Sequence, residues 1–235
     1  MNQSITVFPR ILGLISFVFM GCAMAADSSL KNIDGAKDLV KVKRAAFSET
    51  YINPDVDFSF YNKIYVSEAQ FAYREVEPPK TRNGVHVSAS SNREHPISKE
   101  DRKLFEETVR KAFRTEVGKG EHFAIVDVMN IDEHTMIMRG VVADIFSRVP
   151  PESVERTRLY MSSVGGATLG LEFRDRTSGE VLARVAERSL IGDTMDQANG
   201  ASRLVNRATV IADVERWAGN AARKLRQALD SALKD

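Results

Sequence analysis

Four histidines, His86, His95, His122 and His134, are the side chains best suited to metal binding or proton transfer near neutral pH. A zinc site needs ligands in close pairs, such as two histidines a helical turn apart. No two stand that way here. His86 and His95 share a loop, nine positions apart with no third ligand beside them, so solvated or packed rings are expected and no metal. Nucleophile patterns fail as well. There is no G-x-S-x-G. Ser231-Ala-Leu-Lys234 matches S-x-x-K, but at the chain end on what reads as a surface helix. Ser162-Ser163-Val164-Gly165-Gly166 offers flexible backbone, yet a phosphate cradle opens into a helix and a strand follows. Asp193, Asp196 and Asn199 precede Gly200. Calcium loops place oxygen ligands two apart rather than three, so this reads as a polar surface loop. No spacing singles out a carboxylate pair for acid–base work. Trp217, the one tryptophan, lies on an apolar helical stripe and reads as core. No catalytic residue and no cofactor is expected.

One residue does point to chemistry. Cys22 is the only cysteine, so neither an intramolecular disulfide nor a cysteine metal cluster is available. It stands after Arg10 and the apolar run Ile11–Met20, which is about half of the ~20 residues a spanning helix needs. A basic flank, a short apolar core and small residues afterwards make a secretion signal. Two processing points are open. Phe19-Met20-Gly21-Cys22 resembles a bacterial lipoprotein box, which makes Cys22 a lipid-attachment site after a signal of residues 1–21. Ala23-Met24-Ala25 before Ala26 fits the small-x-small rule of ordinary signal peptidase, with a signal of residues 1–25. Acyl chains on Cys22, at ~0.8 kcal/mol per buried CH₂, would hold the protein on a membrane. The expected location is the bacterial periplasm, anchored to the outer membrane through that lipid.

Composition sets the remaining bounds. Lys and Arg number 33 against 32 Asp and Glu. The first 25 residues hold Arg10 and no acid, so the rest of the chain balances. Nucleic-acid binding is not expected, because a phosphate-gripping protein carries a basic excess. The 43% hydrophobic content is enough for a core without disulfides.

Stepping along the chain, 26–50 is polar and reads as a tether, and 51–235 as a single domain. Ile64 and Val66 alternate in a first strand from Lys63, with Phe71 and Tyr73 extending it. The polar stretch 74–96 contains Asn83-Gly84, a hairpin-turn pair. Ser98 caps a helix whose Phe105, Val109, Ala112, Phe113 and Val117 share one stripe. Phe123–Val128 is a short strand, and Thr135–Phe146, apolar on both sides, a central one. Ala167–Arg174 and Glu180–Glu187 make a hairpin across Asp175–Gly179. A long amphipathic helix closes the chain from Ala208. The expected fold is α+β: a two-layer sandwich with a mixed or antiparallel sheet of about five strands and two main helices on one face.

The tract Tyr51–Val66, the helix start Ser98–Asp101, the turn Ser178–Leu182 and the terminal Trp217, Leu225-Arg226 and Leu229-Asp230 together resemble the bacterial envelope lipoprotein family known as domain of unknown function 3313. The resemblance runs from Tyr51 to the C-terminus. It implies a lipidated Cys22 and supplies no catalytic residue. The element order is also similar to small α/β modules of other outer-membrane lipoproteins that bind partner proteins. Two functions are therefore expected. One is a non-enzymatic interaction module docking another envelope protein. The alternative is a periplasmic enzyme or small-ligand-binding protein with a site formed by loops 74–97 and 190–206. A concave pocket there is the mark of the second.

Overall fold

The computed structural model describes residues 39–76, 81–82, 85–86, 93–150, 159–193 and 202–232. The chain divides into two units, Met1–Asp34 and Gly35–Asp235, and every described residue belongs to the second. Cys22, Ala25 and Ala26 lie outside the described residues.

The central strand is β8, Thr135–Ser147. Strands flank both its edges, and its Met136, Met138, Val142 and Ile145 are buried in the core. On one edge it runs antiparallel to β10, Gly165–Asp175. On the other it runs parallel to β3, Lys63–Val66, and then to β4, Gln70–Tyr73. β10 turns through Asp175–Gly179 into β11, Val181–Ile191, as the hairpin pattern predicts. β2, Glu49–Ile52, and β1, Val40–Lys41, extend that side; β7, Ala124–Val126, extends the other. The order β1-β2-β11-β10-β8-β3-β7, with β4 also on β8, makes a mixed sheet of eight strands. The α+β class holds, but the expected count of about five is too low. β1, β2, β4 and β7 are only two to four residues long, too short for a period-two pattern to emerge. The sheet begins at Val40, inside the stretch 26–50 read as tether.

Two small ribbons stand apart. β5, Thr81–Arg82, pairs with β6, Val85–His86, across Asn83-Gly84, which lie outside the described residues. β9, Leu159–Met161, pairs with β12, Arg203–Val205.

Helices α1, Lys99–Val117, and α2, Arg207–Ala232, cover one face of the sheet. Ser98 Oγ accepts from the Asp101 amide at 3.1 Å, the cap its type and position predict. Asn206 Oδ1 accepts from the Thr209 amide, and Thr209 Oγ1 from the Asn206 amide. Val109, Ala112, Phe113 and Val117 of α1 and Val214, Ala218, Ala222 and Leu225 of α2 are buried with Leu169, Leu171, Phe173, Met138 and Val142 in one core. Each larger side chain so buried stabilises the fold by about 1.5–3 kcal/mol. Phe105 packs edge-on to Phe71 at 6.2 Å and stacks with Trp217 at 6.3 Å. Trp217 Nε1 donates to Ser189 Oγ at 2.7 Å, so Trp217 is a packing residue, as read. The helices run side by side in the same direction: Asp101 meets Arg207 near their starts, and Glu116 meets Arg223 further along.

One irregularity shapes the end of the sheet. Thr168 pairs with Ala143 but Gly166 with Phe146, leaving an extra residue on β8. Asp144 takes the left-handed conformation there, φ 53°, which Asp tolerates better than most residues. Such a bulge bends its strand. Arg74, just past β4, pins it through Nε to Asp144 Oδ1 at 2.7 Å and Nη2 to Oδ2 at 2.6 Å. The same guanidinium reaches Glu94 and lies over the Phe146 ring at 4.4 Å.

Candidate functional site

A cleft of about 380 Å³ lies where β8 and β11 end and β10 begins. One wall is the first half of α1, through Leu104, Phe105 and Thr108; the other is the first half of α2, through Val210, Ile211 and Val214. The floor is Ile145, Val149, Val164, Gly165 and Ile191, with Pro96 and Ile97 at one side. The spacing 104, 105, 108 and 207, 210, 211, 214 is the stripe periodicity of a core helix. Deeper along each helix the same stripe meets sheet residues; here it meets open space. The pocket falls within the size of small-molecule sites. It is more than twice the ~150 Å³ of an apolar cavity that stays dry and takes up benzene.

Its lining is mostly apolar, and its hydroxyls are already engaged. Thr108 Oγ1 donates to Leu104 O at 2.7 Å. Ser147 Oγ accepts from the Val149 amide at 3.1 Å. Ser98 Oγ is taken by Asp101, accepting from its amide and donating to its carboxylate at 2.8 Å. Each hydroxyl of the lining is thus engaged with its own neighbours. Among the described residues of the lining, charge appears only at the rim, in Glu100, Asp101 and Arg207, the last two 3.6 Å apart across the mouth. Among the described residues, no nucleophile beside a base and no carboxylate pair faces the interior.

Just outside, His95 pairs with Ser147 as an isolated bridge, its amide donating to Ser147 O at 2.7 Å. Burial, helped by the Arg93 charge, lowers its pKa below that of a free histidine. The unfolded chain takes up this proton near pH 6.5, the folded one only at lower pH. Between those values the unfolded state binds more protons, so stability rises with pH across that window and is flat above it. His95→Gln is expected to flatten the fall in stability between pH 7.5 and 5.5. Urea denaturation of both proteins at the two pH values measures it; identical falls would show that the ring carries no such linkage.

Asp144 titrates in the other direction. Hydrogen bonds from Arg74, and the charges of Arg74 and Arg188, hold its carboxyl below the usual range against the burial that pushes it up. Its contribution is present above the unfolded value near 3.9 and is lost as pH falls through the folded one.

The other residues singled out by type do not converge. His122 is exposed. His134 Nδ1 sits 2.9 Å from Phe60 O, with the two rings 4.6 Å apart. His86 is in β6. Ser163 is buried and accepts from Arg148 Nη1 at 2.7 Å. Ser231 Oγ donates back to Gln227 O; Lys234, Asp196 and Asn199 lie outside the described residues. Among the described residues no three His, Cys, Asp or Glu side chains gather as a metal site. No described helix is long and apolar enough to cross a membrane. Of the loops expected to form a ligand site, Pro96, Ile97 and Ile191 do line the cleft. Leu104, Val210, Ile211 and Arg207 were not anticipated as site residues; their one signal is that each stripe runs into the first two turns of its helix.

No family model matches the sequence, and no curated protein matches it. Among solved structures, the chain is similar to PelC from Paraburkholderia phytofirmans, a dodecamer, at 10% identity and TM-score 0.31, over 70% of this chain and 89% of that one. It is similar to a Xanthomonas campestris protein of family DUF330, at 13% identity and TM-score 0.35, over 74% and 87%. A hypothetical protein of Chlamydia trachomatis aligns at 4% identity and TM-score 0.34, over 72% and 99%.

Proposed function

We propose that this chain is an exported cell-envelope protein, held at the membrane by lipid on Cys22, whose α+β domain binds a small apolar ligand without transforming it. Export and lipidation rest on the leader, the Gly21-Cys22 pair and the resemblance to the envelope lipoprotein family of domain of unknown function 3313. The observation that carries ligand binding is the cleft: a preformed concave space with an apolar interior and every lining hydroxyl engaged elsewhere. Binding without chemistry is supported by the same lining, since no described residue aimed inward can attack, protonate or coordinate. The cleft also sits away from where the chain enters. Val40 joins the sheet opposite Ile52, which pairs with Ala183, while the cleft lies at Ile191. At ~3.4 Å per residue that separates Val40 from the cleft by roughly 27 Å along the sheet.

The test is uptake of an environment-sensitive apolar dye by the purified mature protein. Ile211→Trp puts bulk into the cleft from a half-buried position and is expected to weaken dye binding tenfold or more, about 1.4 kcal/mol, with the thermal midpoint little changed. Dye that ignores this substitution, or never binds, would refute the reading. Intact-mass analysis of protein from the native envelope tests the anchor: acyl chains on Cys22 support it, and an unmodified start at Ala26 removes it.

A further inference from the structure

We infer that the cleft's ligand is a single-chain anionic amphiphile: an unbranched hydrocarbon tail of about a dozen carbons inside, and a charged head held by Arg207 at the mouth. The inference deepens the ligand-binding reading and rests on it. Length follows from volume. About 380 Å³, against the ~150 Å³ of an apolar cavity that takes up one benzene, has room for an alkyl chain on the order of a dozen carbons. Tail chemistry follows from the walls. Leu104, Val149, Val164, Ile191 and Ile211 are aliphatic, and with Thr108, Ser147 and Ser98 committed to their own neighbours a polar group drawn inside would lose its water without replacement.

The head follows from the rim. Arg207 is the one cation of the described lining. Its contact with Asp101, 3.6 Å, is well beyond the 2.7–2.9 Å of a good charge-assisted bond, so it is a weak tie to give up. Asp101 keeps a partner when that tie opens, because Ser98 Oγ already donates to its carboxylate at 2.8 Å. Glu100 opposes an anion, but it is exposed and its field is screened at physiological salt. The Asp101–Arg207 pair thus acts as a clasp that an acidic head group opens.

Dye displacement from the mature protein tests this with n-alkanoic acids of about eight to sixteen carbons, the matching n-alkanols and the matching monoalkyl phosphates, all below their micellar concentrations. Affinity should rise about fourfold per added carbon, the ~0.8 kcal/mol of a buried CH₂ expressed as a ratio, and level off near twelve. The acid or the phosphate should bind at least fivefold more tightly than the alcohol; whichever leads names the head. Arg207→Gln should erase that margin and leave the alcohol unchanged, and Asp101→Asn should widen it. If the dye binds and Ile211→Trp expels it, yet acids and phosphates bind no better than alcohols, or affinity is indifferent to length, the amphiphile assignment is overturned while the ligand site stands. If the dye does not bind at all, both fall together.

Discussion

Gly165→Ala is expected to lower the domain's stability by about 3 kcal/mol, at the top of the range for overpacking a close-packed interior. Gly165 opens β10 opposite Ser147 of β8. A Cβ placed on it would run into the carbonyl oxygen of Phe146 and stand 3.3 Å from both that carbonyl carbon and Ser147 Cα. All three are backbone atoms of the central strand, held by pairing on both sides, so neither a rotamer change nor a local shift relieves the clash. Two neighbours make the comparison informative. On Gly166 the new methyl would meet ring carbons of Phe146 at 2.8 Å; a ring can tilt, though Arg74 stacked on it resists, and about 1–2 kcal/mol is expected. On Gly170, in the middle of the same strand, the nearest atom is Val141 O at 3.9 Å, and alanine should fall within about 0.5 kcal/mol of the parent. Chemical denaturation of the three variants gives the order. Equal losses at Gly165 and Gly170 would mean that close approach at the bulged end of β8 is not what fixes glycine there.

How much of this was legible in advance depends on how local the cause is. The α1 stripe and Ser98 cap, the β10–β11 hairpin and the buried Thr135–Phe146 strand come from periodicities and turn chemistry contained within a dozen residues or so, and they stand where expected. The short strands were hidden because pairing partners, not their own sequence, make them strands: Lys63–Val66 reads as one element with Phe71 and Tyr73, but the ladder to β8 breaks at Ser67 and resumes at Gln70. Asp144 gave no sign of its positive φ, since aspartate is ordinary in many conformations. The cleft was the least visible feature. Val210 and Ile211 look like any other core positions of an amphipathic helix, and nothing in their own sequence marks them as lining an open cleft. Expecting a site at loops 74–97 and 190–206 found its edge, through Ile97 and Ile191, and missed the helices that form its walls.

Asp213→Asn is expected to cost about 3 kcal/mol, the lower end for breaking a buried ion pair. The Asp213 side chain is fully buried on α2, one residue before Val214 of the cleft wall. Two arginines serve it: Arg203 of β12, in direct contact with Oδ2, and Arg216, with Nη1 3.1 Å from Oδ1. They are not equivalent. Arg216 is 60% exposed and can turn to water, whereas Arg203 is only 26% exposed; burial, and then the Arg216 charge, pull its pKa down. Removing the carboxylate therefore strands mainly Arg203, and the loss should be that of one uncompensated, partly buried cation. Arg216→Ala should cost under about 1 kcal/mol, as exposed pairs do. Asp213→Leu with Arg203→Met should recover most of the loss, since replacing both members by apolar groups removes the unpaired charge. The pair also has a positional role. Gly192, φ 69°, passes so close that a Cβ there would lie 2.5 Å from Asp213 Oδ2. The carboxylate thus ties the ribbon strand β12 to the first half of α2, one wall of the cleft, with Gly192 just past β11 passing against it. Asp213→Asn should accordingly speed amide exchange at Arg203–Val205 before it affects the β8–β10 ladder, because local opening precedes global unfolding where the local ties are few. A uniform rise in exchange across the sheet, with no excess at β12, would show that the buried carboxylate contributes to overall stability without acting as the latch between ribbon and helix.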